Sequence, residues 1–115
     1  MSGIARQGDA ITGTTNGEHA GHYDEWGSPI HGSSTISGTI TSGSPNVFIN
    51  GKAVARAGDS TIESDACDSG QSGSLRSINR GVFVNGLPVA LNGDAINPHN
   101  GTAHIVAGSG NVSVN

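Results

Sequence analysis

Val47-Phe48-Ile49-Asn50-Gly51-Lys52-Ala53-Val54-Ala55-Arg56-Ala57-Gly58-Asp59 returns at the same length as Val82-Phe83-Val84-Asn85-Gly86-Leu87-Pro88-Val89-Ala90-Leu91-Asn92-Gly93-Asp94. A third copy is divided between the ends of the chain. Val112-Ser113-Val114-Asn115 supplies its first half, and Met1-Ser2-Gly3-Ile4-Ala5-Arg6-Gln7-Gly8-Asp9 its second. With Asn115 placed beside Met1, the third copy matches the other two with no residue missing or added. The chain reads as three units closed in a ring, since a repeat that cannot bury its apolar face alone buries it against its neighbours.

Each copy reads as strand, turn, strand. Apolar residues alternate in Val47-x-Ile49, Val82-x-Val84 and Val112-x-Val114, as a half-buried strand requires. Asn50-Gly51 and Asn85-Gly86 predict tight hairpin turns, because both residue types accept positive φ. The stretches Ala53-Val54-Ala55-Arg56 and Pro88-Val89-Ala90-Leu91 then lead to Gly-Asp, and Gly8-Asp9, Gly58-Asp59 and Gly93-Asp94 each open a polar segment. These segments, about Ala10 to Thr41, Ser60 to about Asn79 and Ala95 to about Asn111, are expected as loops of unequal length that carry the variable chemistry.

The expected fold is all-β with almost no helix, a single domain over residues 1–115. The chain has 19 Gly, 33% hydrophobic and 3% aromatic residues, so its apolar core is thin and something besides apolar burial is expected to hold it. Disorder is disfavoured by the regular strands and by a charged fraction of only 12%. A net charge of −4 with five Lys plus Arg disfavours nucleic acid as a partner, because phosphate binding needs clustered cations. The sequence has no apolar run long enough to span a bilayer and no signal-peptide pattern at Met1-Ser2-Gly3-Ile4-Ala5-Arg6. The expectation is a protein made in the cytoplasm, carried across an envelope by another machine, with no fused effector.

All five histidines and the one cysteine fall after a Gly-Asp: His19, His22 and His31 in the first segment, Cys67 in the second, His99 and His104 in the third. His31, Cys67 and His99 precede the equivalent valines Val47, Val82 and Val112 by 16, 15 and 13 residues. Similar offsets in a three-fold ring would bring three ligands to one axis. A fourth from His104, His22 or His19 would complete a His3Cys site, whose donors suit a closed structural zinc. Binding by a thiolate and neutral imidazoles would couple the metal to folding and to pH. Solvated histidines and a buried Cys67 are the bland alternative.

The tripled thirteen-residue block ending in Gly-Asp, with Gly43-Ser44-Pro45 before the strand and Ala55-Arg56 before Gly58-Asp59, resembles the proline-alanine-alanine-arginine (PAAR) repeat family. The eponymous tetrapeptide is degraded here to Lys52-Ala53-Val54-Ala55-Arg56 and Leu87-Pro88-Val89-Ala90-Leu91, closer to the phage-type branch. The resemblance implies a three-fold pseudo-symmetric cone of β-hairpins with its loops converging on a sharp tip. It also implies one zinc near that tip held by three histidines and one cysteine. Cys67 maps to the family's cysteine, His99 or His104 to the histidine of the last segment, His31 to the histidine ahead of Gly43-Ser44-Pro45, and His22 or His19 to the earlier one.

By the same resemblance the protein is a structural cap, one copy per trimer, on the trimeric β-helical spike of a contractile injection machine, of phage-tail or type VI secretion type. It would sharpen that spike for piercing a target membrane, with no small-molecule substrate. Phe48 and Phe83 are candidates for the base contact, with Ser113 at the third equivalent position. Two other readings compete. One is a metal-stapled binding module using Tyr23, Trp26, Glu18, Asp24 and Glu25. The other is a zinc hydrolase with Asp65, Asp68 or Glu63 as base, disfavoured because no H-E-x-x-H, nucleophile elbow or phosphate-cradling Gly loop is present.

Overall fold

Asn50 and Asn85 adopt φ of 57° and 54°, followed by Gly51 and Gly86 at 77° and 80°. These are the values of a type I′ hairpin turn, which matches the right-handed twist of the strands it joins. In this computed structural model, which describes residues 2–15, 35–65, 70–77, 81–98 and 101–114, the turns join β4 (Phe48–Ile49) to β5 (Lys52–Ala53) and β8 (Phe83–Val84) to β9 (Leu87–Pro88). The third ribbon pairs the two ends of the chain. β1 (Ser2–Gly3) lies antiparallel to β12 (Ser113–Val114), with Ser2 opposite Val114 and Gly3 opposite Ser113.

A circuit of backbone bonds ties the ribbons together. The Ala5 N–H donates to the Ala90 carbonyl at 2.9 Å, Ala90 to Ala55 at 3.0 Å and Ala55 to Ala5 at 3.0 Å. All three alanines are fully buried. Only a small side chain leaves room for three backbones to meet this closely, which accounts for alanine in each copy.

The segments expected as loops contain the largest sheet instead. β2 (Ala10–Thr14), β3 (Thr35–Ile40), β6 (Ser60–Ser64), β7 (Gln71–Leu75), β10 (Ala95–Asn97) and β11 (Thr102–Ile105) close into a barrel in the order β10-β11-β2-β3-β6-β7. Their Ser and Thr content conceals them in the sequence. Alternation sends Ile11, Ile36, Ile40, Leu75, Ile96 and Ile105 inward and buries them, while Thr35, Ser37, Thr39, Ser60, Ser72 and Thr102 face out. Closure removes the exposed sheet edges that a polar hairpin would otherwise leave.

The barrel is narrow because glycine occupies several inward positions. A β-carbon at Gly38 would collide with the Ile62 carbonyl oxygen, and one at Gly13 with the Thr102 carbonyl oxygen. Interior residues of the barrel form one cluster with Ala5, Ala55 and Ala90 as its floor, and Ile4, Val54, Val89 and Leu91 form a second cluster beneath it. The chain is elongated, 51 × 24 × 22 Å, and its described residues contain no helix.

Candidate functional site

Each Gly-Asp is the pivot between ribbon and barrel. Gly8, Gly58 and Gly93 have φ of 92°, 87° and 97°, a backbone that a side chain would strain. The aspartate then turns back on its own chain. Oδ2 of Asp9, Asp59 and Asp94 accepts from the backbone N–H of Arg6, Arg56 and Leu91 at 2.8, 2.7 and 3.0 Å, as short polar side chains do in turns. In two units the carboxylate also receives the arginine. Arg6 reaches Asp9 through Nε at 2.9 Å and Nη2 at 3.0 Å, and Arg56 reaches Asp59 through both at 3.0 Å.

The hydrogen bond to Asp59, with its charge, raises the Arg56 pKa above the ordinary arginine value, and burial acts in the opposite direction. The remaining guanidinium nitrogen of each arginine crosses to a neighbouring hairpin turn. Arg6 Nη1 donates to Asn50 Oδ1 at 2.9 Å, and Arg56 Nη1 to Asn85 Oδ1 at 3.1 Å. The same oxygens accept from Ser109 Oγ at 2.8 Å and Ser44 Oγ at 2.6 Å. These inter-unit clamps were missed from sequence, although Ser44-Pro45-Asn46-Val47 and Ser109-Gly110-Asn111-Val112 carry a legible shared pattern.

From the pivots the barrel strands run away from the alanine circuit. The connections between β2 and β3, β6 and β7, and β10 and β11 therefore leave the barrel at the opposite end, from Thr15, Asp65 and Pro98, and return at Thr35, Gly70 and Gly101. Within these connections fall His19, His22 and His31, Cys67, and His99; all five lie outside the described residues. His104 is described. It stands in β11 opposite Thr12 and Ala95, exposed, between the inward and buried Ala103 and Ile105. Among the described residues no three His, Cys, Asp or Glu gather into a metal-binding group. Tyr23, Trp26, Glu18, Asp24, Glu25 and Asp68 also lie outside them.

At the ribbon end, apolar side chains remain in solvent. Phe48 is 58% and Phe83 49% exposed, and Val47, Leu87 and Val112 accompany them. An open groove of about 560 Å³ runs between the first hairpin and the barrel, lined by Gln7, Ile40, Thr41, Phe48 and Lys52 among others.

No described helix is long and apolar enough to cross a membrane. No curated protein matches the chain. The family model of the PAAR motif matches residues 31–99, which spans more than half of the 115 residues, including the first two hairpins and two of the three pivots. The chain belongs to the PAAR-motif family, structural rather than enzymatic proteins at the spike tips of contractile injection machines, where they associate with a spike protein.

Proposed function

We propose that the ribbon end of this protein caps a trimeric β-helical spike, one copy per trimer, and that the other end is a tip stapled by one zinc ion. The observation that carries this reading is the polarity of the molecule. Exposed Phe48 and Phe83 stand at the ribbon end, and the three connections holding His19, His22, His31, His99 and Cys67 start and finish at the far end of the barrel. A three-fold arrangement of the units, supported by the repeated pivots and the alanine circuit, would match three identical spike chains.

The donor set fits zinc. A thiolate and imidazoles are the ligands of closed tetrahedral sites, and Cys67, His99, His31 and one of His22 or His19 supply four. His104 is left out of this set because alternation turns it to the outer face of β11. Bound there, zinc would supply a cross-link between three connections where little apolar burial is available. The chain's own part is stiffness. The closed barrel, with its Gly38 and Gly13 contacts, holds the connections on a narrow stem, and the uncharged Ser and Thr of its wall add little bulk.

The test has two arms. Metal analysis of freshly purified protein is expected to give one zinc per chain, falling at least several-fold in Cys67→Ser and unchanged in His104→Ala. Co-expression with the spike protein of the same machine is expected to give a complex of one tip per trimer that Phe48→Ser with Phe83→Ser abolishes. Metal-free wild-type protein would remove the zinc staple, and a double variant that still binds the spike would remove the apolar base contact.

A further inference from the structure

Asn-Gly is the dipeptide that a type I′ turn prefers, and it is also the one most prone to lose its amide. The glycine nitrogen attacks the asparagine Cγ, and no side chain shields that nitrogen. Among the described residues there are three such steps, Asn50-Gly51, Asn85-Gly86 and Asn92-Gly93. Asn50 and Asn85 are exposed, yet a neighbouring unit holds each amide at both ends. Arg6 and Ser109 donate to Asn50 Oδ1, and Asn50 Nδ2 donates to Asn111 Oδ1 at 3.1 Å. Arg56 and Ser44 donate to Asn85 Oδ1, and Asn85 Nδ2 donates to Asn46 Oδ1 at 2.9 Å. Asn92 is closed from the other side: the nitrogen that would attack, that of Gly93, donates to the Ile105 carbonyl at 2.8 Å.

We propose that Asn50 and Asn85 are latent sites of deamidation through a succinimide, each kept unreactive by the arginine clamp of the adjoining unit. In the reaction the Gly51 nitrogen bonds to Asn50 Cγ and gives up its proton, the Cγ–Nδ2 bond breaks, and Nδ2 leaves as ammonia. Solvent water then opens the ring at either carbonyl, giving aspartate or isoaspartate, in which the backbone runs through Cγ. Asn85 and Gly86 react in the same way.

Ring closure needs Cβ and the glycine nitrogen on the same side of the Cα–C bond. At the left-handed φ of 57° and 54°, with the ψ of about +47° that accompanies it, they lie on opposite sides, and the closed turn cannot react. The turn must first leave that conformation, which takes the amide from its three bonds, so local opening sets the rate. The product cannot re-form the clamp. An oxygen replaces the nitrogen that faced Asn111 Oδ1 or Asn46 Oδ1, and isoaspartate lengthens the turn by one backbone atom.

Peptide mapping by mass spectrometry, after incubation in mildly alkaline buffer, reads each site separately. In wild type both hairpin sites should react far more slowly than in the urea-unfolded chain. Arg6→Ala should speed Asn50 about fivefold, the equilibrium worth of one hydrogen bond, and leave Asn85 and Asn92 unchanged; Arg56→Ala should speed Asn85 alone. Arg6→Lys and Arg56→Lys keep a cation for the aspartate but not the fork that reaches two partners, and should give the same crossed pattern where the alanine variants lose the fold. Hairpin sites that react as fast in folded as in unfolded wild type, acceleration of all three sites together in the lysine variants, or no acceleration in any variant overturns the proposal.

Discussion

Gly38→Ala is the sharpest probe of the narrow stem. The added methyl would meet backbone, not side chain: the Ile62 carbonyl oxygen, then Glu63 Cα at 2.8 Å and Ile62 C at 2.9 Å. No rotamer change relieves such a contact, so β3 and β6 must part along the register in which Gly38 faces Glu63. Overpacking of a filled interior costs about 1–3 kcal/mol, and displaced backbone argues for the upper part of that range. Alanine recovers about 0.4–1 kcal/mol by restricting the unfolded chain. The net expectation is a loss of about 1–2.5 kcal/mol, a large share of the roughly 5–15 kcal/mol typical of a folded domain.

Gly51→Ala is the control. A β-carbon there meets nothing within 4 Å, but φ is 77°, so its cost is the left-handed backbone alone, about 1 kcal/mol. Urea unfolding followed by far-UV circular dichroism should place Gly38→Ala below Gly51→Ala in midpoint, with Gly13→Ala close to Gly38→Ala. A Gly38→Ala midpoint equal to wild type, or above that of Gly51→Ala, would refute the close approach of β3 and β6 and with it the narrow barrel.

Asp59→Asn should cost about 2–4 kcal/mol, because Asp59 accepts three bonds from Arg56 and a fourth from Ser42 Oγ at 3.2 Å; a denaturant midpoint shift below that of Asn50→Ala would contradict this ranking. A raised Arg56 pKa means its stabilisation is fully present below the unfolded-state value and lost only as pH climbs through the still higher folded one. The stability difference between wild type and Arg56→Gln, both carrying Asp59, should therefore be constant from about pH 7 to 10, and a fall across that window would disprove the attribution. A permutant with Asn115 joined to Met1 and the chain opened between Asn50 and Gly51 should keep the wild-type circular dichroism spectrum, since β1 and β12 already pair; an unfolded product would speak against equivalence of the three ribbons.

The hairpins were legible because Asn-Gly and alternating valines encode local geometry, and a split repeat is visible without coordinates. The barrel was not. Thr35-Ile36-Ser37-Gly38-Thr39-Ile40 and Gln71-Ser72-Gly73-Ser74-Leu75 have the glycine and serine content of loops, and only the inward Ile36, Ile40 and Leu75 mark them as strands. Glycine normally weakens a strand; here it lets neighbouring strands approach at positions where a β-carbon would meet backbone. The unequal lengths between pivots, taken as the mark of loops, reflect the connections between paired strands. Strand alternation turns His104 to the outer face of β11, whereas from sequence it stood as a candidate fourth ligand and, by the family resemblance, as an alternative to His99.

The division of labour between the ends follows from where each kind of cohesion is available. At the ribbon end three backbones meet over alanine, leaving Phe48 and Phe83 unused and exposed; burial of a large aromatic is worth about 1.5–3 kcal/mol, which a partner's surface can recover. Farther along, glycine takes the inward positions Gly13, Gly38 and Gly73, and Ile36, opposite Gly13, remains as a large buried apolar side chain. On the proposed zinc-stapled reading, cohesion would pass from packing at the base to coordination by the thiol and imidazoles of the connections at the far end, bonds that need no volume.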